Sequence, residues 1–147
     1  MNTAEQLTQT FNNNFVAYYR SHVAHVNILG RNFYSDHKLL EKIYEDAGDA
    51  IDDLGEFLRT INVKAPSTIM DILELSTIGE ITATDADERL RIVGENQEYM
   101  IDRYKELFDI ATEMTDQDIA NFAADRIRAH AKFKWMIEST LGEEDLD

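Results

Sequence analysis

Between Phe33 and Ile61 apolar side chains return every seven residues: Phe33, Leu40, Ala47, Leu54 and Ile61, with Tyr44, Ile51 and Leu58 between them. That period, sustained without a proline, specifies a long amphipathic helix rather than a strand, whose side chains repeat every two residues. A helix this long must lay its apolar stripe on similar neighbours. The rest of the chain supplies them. Phe15, Tyr19, Val26 and Leu29 keep helical spacing in a first helix from about Thr3 to Leu29, and Gly30 stops it. Thr84 or Asp85 caps a third helix, which runs through Val93, Met100, Ile101, Tyr104, Leu107 and Phe108 to about Glu113. "MTDQD" opens a fourth, through Ile119, Phe122, Ala123, Ile127 and Ala131 to about Leu141. The only long connection, between the second and third, holds "STIMDILELS", a short helix. The expectation is an all-α four-helix bundle with one extra short helix.

One proline and six glycines leave little room for loops, and the chain is expected to form one domain over residues 1–147. No cysteine is present, which excludes disulfides, thiolate metal sites and thiol nucleophiles and is compatible with a cytoplasmic protein. No apolar run is long enough to span a membrane, and the start of the chain lacks the pattern of a secretion signal. Fourteen basic residues stand against 29 acids, a net charge of −15. Phosphate-binding surfaces need the opposite balance, so DNA binding is not expected; attraction of cations is.

The second helix carries His37 and Glu41 four residues apart, and Asp52 and Glu56 four residues apart. Pairs at that spacing share a helix face, the usual way a helix offers two donors to one ion. With His37 at zero, Glu41 projects at about 40°, Asp52 at about 60° and Glu56 at about 100°, beside the apolar stripe at roughly −20° to −120°. The two pairs cannot meet in one chain, because 15 residues of helix separate them by about 22 Å. Two copies packed antiparallel about a two-fold axis near Asp46 and Ala47 bring each His37/Glu41 end to the partner's Asp52/Glu56 end. Gly48 and Gly55 project to the same side, where a closely packed neighbour is expected. His25, at the end of the first helix, reaches His37 across the short turn. Two imidazoles and a carboxylate from one subunit then face two carboxylates from another, a donor set suited to Fe(II), Mn(II) or Zn(II).

The run "HVNILGRNFYSDHKLLE", followed by "DDLGE" at 52–56, resembles the ferroxidase motif of the Dps family, the mini-ferritins. The family pattern of a His, a second His twelve residues on, an acid four later and an Asp and Glu four apart falls on His25, His37, Glu41, Asp52 and Glu56. "KWMIES" at 134–139 and "APSTIMDILELS" are similar to the family's C-terminal Trp segment and connecting helix. The resemblance implies a ferritin-like bundle and a cytoplasmic, hollow homo-dodecamer with two irons per ferroxidase centre at its two-fold interfaces. Zinc or manganese are possible substitutes. Fe(II) is oxidised there, preferably by hydrogen peroxide rather than oxygen, and stored as ferric mineral, which protects against oxidative damage. It further implies that Asp52 and Glu56 bind the first iron most firmly, that the neighbouring His25 completes its shell, and that His37 and Glu41 hold the second.

Some positions depart from that pattern. Val26 stands where the family usually has Trp, so interception of one-electron by-products is lost or moves to Tyr18, Tyr19, Tyr34 or Tyr44. Glu41 replaces the commoner Asp. Where pore acids are expected the chain has Thr112, Gln117 and Asn121, with Glu113, Asp116 and Asp118 close by. The tails "MNTAEQLTQT" and "EEDLD" are not Lys-rich, which again disfavours DNA. Of the remaining residues, His22 is assigned to a surface or interface, His130 to a solvated or subunit-contact face, and Asp46, Asp49 and Asp53 to solvated charge or ion pairs. Trp135 is assigned to packing, and the aromatics of the first and third helices to the core. Two other functions stay open: a shell or metal-binding scaffold without ferroxidase turnover, and a conventional di-iron bundle, which needs Glu-x-x-His motifs that this chain lacks.

Overall fold

The computed structural model describes residues 1–79 and 81–143; the acidic end of the tail, from residue 144, lies outside the described residues. Five helices follow one another: α1 (Thr3–Asn27), α2 (Phe33–Thr60), α3 (Ile69–Leu75), α4 (Ala86–Glu113) and α5 (Gln117–Leu141). α1 and α2 form one antiparallel hairpin and α4 and α5 the other; they join mainly through α1 against α4, while α3 lies across α1. This is the ferritin-like four-helix bundle that the periodicity and the motif imply. None of the described helices is long and apolar enough to cross a membrane.

Local signals set the ends. Asn2 Oδ1 accepts from Glu5 N at 2.9 Å to open α1. Asp85 Oδ1 accepts from Glu88 N at 2.9 Å, and Glu88 Oε2 reaches back to Thr84 N at 3.0 Å, a reciprocal cap that starts α4. Those bonds from Thr84 hold the Glu88 carboxyl below its ordinary pKa. Gly142 ends α5 in the left-handed conformation at φ 75°, where a side chain would be strained. Asn13 Oδ1 accepts from Thr77 N at 2.7 Å and Ser76 Oγ at 2.9 Å, tying the connection after α3 onto α1.

Two apolar clusters fill the bundle. One gathers Leu7, Phe11, Leu54, Leu58, Met100, Leu107, Ile119 and Ala123, and the other Ile28, Leu40, Ile43, Leu90, Val93 and Ile137. A polar layer lies between them. Arg126 Nη2 sits 2.7 Å from Asp46 Oδ2 and donates to His130 Nε2 at 3.0 Å. His130 Nδ1 donates to Gln97 Oε1 at 2.7 Å, and its ring stacks on Tyr104, whose hydroxyl donates to Asn14 Oδ1 at 3.1 Å. Asn14 Nδ2 in turn donates to the Ala47 carbonyl at 2.9 Å. Burial raises the Tyr104 phenol to about 12.

Several expectations change here. His130 is not solvated: it is 2 % exposed and accepts from a guanidinium, which requires the neutral imidazole. Lys- and Arg-rich neighbours in sequence hid a residue that faces inward between them. Trp135 does not pack within the chain and is 62 % exposed. Of the aromatics assigned to the core, Tyr104 is buried while Tyr19 is exposed. For Asp46, expected as solvated charge or an ion-pair partner, the second holds.

Burial and Arg126 hold the His130 pKa well below 6.5. A depressed imidazole pKa contributes its stability in full above the unfolded value and loses it as pH falls below about 6.5 toward the folded value. Urea unfolding at pH 7.5 and pH 5 is therefore expected to show a drop in stability that is smaller in His130→Gln by the uptake of one proton. An equal drop in both proteins would show that His130 is not a buried acid-labile group.

Candidate metal centre

The joint between α1 and α2 places the two histidines. Ile28 N donates to Ala24 O at 3.0 Å as α1 ends, and Phe33 N donates to Gly30 O at 3.1 Å as α2 begins. The chain thus reverses within a few residues, and the last turn of α1 meets the first turn of α2. There His25 Nδ1 donates to the His37 carbonyl at 2.8 Å, and His37 Nδ1 donates to the His25 carbonyl at 2.7 Å. A carbonyl oxygen can only accept, so each Nδ1 carries a hydrogen, and in the neutral ring the lone pair is on Nε2. His37 also satisfies a carbonyl in the last turn of α1 that the helix itself leaves open. The two rings stack at 3.7 Å between centroids and 16° between planes. His25 is 8 % exposed, and Phe33 covers the other face of His37 at 4.9 Å.

Glu41 lies one turn further along α2, half-buried, with Lys38 Nζ 3.3 Å from its Oε2. An exposed pair of this kind is weak, so a cation can displace the lysine. Asp52 and Glu56 are exposed further along α2, with no hydrogen bond or ion pair among the described residues. No three His, Asp or Glu side chains converge among the described residues. One chain thus brings His25 and His37 together, keeps Glu41 beside them, and leaves Asp52 and Glu56 apart, as the helix rise requires.

Gly48 and Gly55 both face α1 of the same chain, and only Gly48 is closely approached there. A Cβ at Gly48 would come within 3.3 Å of Tyr18 Cε2, and one at Gly55 within 3.6 Å of Phe11 Cε2. Both neighbours belong to α1 of the same chain. Gly48 serves packing inside the hairpin, whereas the contact at Gly55 is an ordinary one that an alanine would also make.

His22, assigned to a surface or interface, is half-buried: its ring stacks on Tyr44 at 4.1 Å and 12° and its Nδ1 lies 3.1 Å from the Tyr18 hydroxyl. Tyr44 presents its edge to His25 at 5.0 Å. Burial, then the Glu41 and Glu45 carboxylates, raise the Tyr44 phenol above its ordinary pKa, so it stays protonated. The spacing of Tyr18, His22 and His25 along α1 could have signalled this column; counting Tyr44 with the apolar repeat concealed it. Around the histidines, Val26, Leu29 and Tyr34 are exposed.

Residues 4–146 match the family described as a ferritin-like domain. A Brevibacillus brevis protein named "DNA protection during starvation protein" is 31% identical, over 86% of this chain and 85% of that one. This chain belongs to the Dps family. A protein of the same name from Helicobacter pylori is 27% identical over 96% of this chain and 99% of its own length. The crystal structure of a Dps protein from Bacillus brevis superposes with a TM-score of 0.90 at 28% identity, covering 95% of this chain and 94% of that one. Dps proteins are mini-ferritins, a class concerned with iron storage and protection from oxidative stress.

The His25–His37 joint should contribute to stability without any metal. His37→Ala removes a hydrogen bond and a ring stack and is expected to cost about 1–2 kcal/mol. Thermal unfolding of metal-free protein measures it, and an unchanged melting temperature would contradict the structural role of the pair.

Proposed function

We propose that this Dps protein is a ferroxidase and iron-storage shell whose centres form between subunits. His25, His37 and Glu41 of one subunit face Asp52 and Glu56 of its two-fold partner, and each such centre takes two Fe(II) ions as substrate. The observation that carries the proposal is the stacked pair of His25 and His37, each Nδ1 held by the other's backbone carbonyl so that Nε2 is the nitrogen left for a metal, in a chain whose described residues bring no three such donors together. Nitrogen and oxygen donors without a thiolate suit Fe(II), and zinc or manganese would compete for the same donors. The alternative site inside one bundle is disfavoured by what fills the middle of this one: Arg126, itself a cation, paired with Asp46 and hydrogen-bonded to His130.

A second subunit also has surface to cover. α3 leaves Ile69, Met70 and Leu73 exposed, and Val26, Leu29 and Tyr34 are exposed around the histidines. Apolar residues grouped this way are typical of subunit interfaces. Twelve such subunits would enclose the cavity that storage needs, in a cytoplasmic protein acting as one ferritin-like unit along its length.

In the reaction, two Fe(II) ions each give one electron to hydrogen peroxide. Its O–O bond breaks, and with two protons it becomes two waters, so no radical is released. Oxygen is the slower oxidant. Asp52 and Glu56 supply the negative charge that favours Fe(III) over Fe(II); the imidazoles orient the pair and, with Phe33 and Tyr44, limit bulk water. Glu113 and Asp118, exposed at the α4–α5 turn, would draw cations toward the shell, although Gln117 and Asn121 hydrogen-bond to each other there at 3.1 Å. The charge of −15 makes DNA an unfavourable partner.

Anaerobic loading with Fe(II) followed by peroxide tests the proposal by ferric absorbance. Wild type should oxidise the iron quickly and keep it soluble, and Asp52→Ala/Glu56→Ala should lose this while its native mass is unchanged. Equal behaviour of the two proteins would instead support a shell without turnover. A native mass no larger than a dimer would remove the storage role.

A further inference from the structure

The geometry points to Tyr18 as a redox-active tyrosine, paired with His22 and connected to the metal centre through Tyr44; the inference rests on the ferroxidase function proposed above. The Tyr18 hydroxyl lies 3.1 Å from His22 Nδ1. Its ring meets the Tyr44 ring edge-on at 6.2 Å, and Tyr44 meets His25 edge-on at 5.0 Å. His22 stacks flat on Tyr44, which holds all three rings in one column against α2. Gly48 is what lets Tyr18 sit so close to that helix, since a Cβ there would crowd its ring at 3.3 Å.

Oxidation of a phenol near neutral pH requires that its proton leave with the electron. Tyr18 has an acceptor for that proton in His22, when the imidazole carries its own hydrogen on Nε2. The Tyr44 hydroxyl has no hydrogen-bond partner among the described residues, so Tyr44 passes an electron on but is a poor place for the radical to rest. Tyr34 and Tyr19 are largely exposed and stand outside the column. Val26 is an exposed aliphatic residue with no electron to give.

The demand for such a donor arises when a centre holds only one Fe(II). A single ion reduces peroxide by one electron, and the O–O bond breaks to hydroxide and a hydroxyl radical. An electron then leaves Tyr18 through Tyr44 and reduces that radical to hydroxide, while the Tyr18 proton moves to His22 Nδ1. The products are a neutral tyrosyl radical, an imidazolium and hydroxide. The next Fe(II) to bind returns one electron and His22 returns the proton, leaving Fe(III) and the starting pair. The damage is thereby confined to a reversible step among half-buried rings.

Rapid-freeze electron paramagnetic resonance tests this on the assembled protein loaded with one Fe(II) per centre and mixed with peroxide, with ferric absorbance read on the same samples. Wild type is expected to give a tyrosyl signal that narrows when the tyrosine rings are deuterated. Tyr18→Phe should lose it, and Tyr34→Phe should keep it. His22→Gln retains a side chain that can accept a hydrogen bond but cannot hold the proton, so it too should lose the signal. Ferric formation with no tyrosyl signal, or a signal that survives Tyr18→Phe, overturns the inference and leaves the ferroxidase function standing. Absence of ferric formation overturns both.

Discussion

An α-helix advances 1.5 Å per residue, and the unbroken α2 runs through both His37 and Asp52, so nothing along it can bring the two together. That constraint shapes what else the chain must do. The imidazoles have to be finished as a pair at one end of the hairpin, with their tautomers set locally. The carboxylates have to remain exposed and uncommitted further along. A protein that placed its metal donors on facing helices of one bundle would need neither feature. In this chain both are present, together with exposed apolar residues on α3 and around the histidines. The proposed inter-subunit centre follows from a length, not from any single residue.

The same division of labour explains the interior. With the metal chemistry proposed for the α1–α2 joint, the middle of the bundle is free for structural polarity. It holds a chain of donors and acceptors from Asp46 through Arg126, His130 and Gln97, and from Tyr104 through Asn14 to the Ala47 carbonyl. Buried polar groups are costly unless they find partners, and this network links α1, α2, α4 and α5. Such a layer fixes the rotation of each helix about its axis more sharply than apolar packing does. The rotation matters, because it decides that Tyr18 and His22 face Tyr44 while Asp52 and Glu56 face away.

Much of this was legible in the residues. The seven-residue repeat located α2 to within a residue of its observed end, and Gly30, Asp85 and the "MTDQD" segment marked three of the other boundaries. Both histidines of the joint were legible from their spacing and the short turn. Other features were not. Gly48 and Gly55 were assigned to a contact between copies because spacing says which side a residue faces but not which neighbour stands there; Tyr18 and Phe11 of α1 do. His130 was read as solvated because its sequence neighbours are basic, although a helix turns about 100° per residue and can bury one position among charged ones. His22 matched no position in the family pattern, and its partners are a turn away on α1 and across on α2.

By itself the sequence determined the helix lengths, the caps, the fold class and the separation of the two donor pairs, since each depends on local propensity or on the fixed rise of a helix. The tertiary structure alone decided the tautomers of His25 and His37, the burial of His130 beside Arg126, and the column from His25 to Tyr18. Those depend on which atoms of two different helices come within hydrogen-bonding distance, and periodicity along one helix carries no information about the rotation of the next.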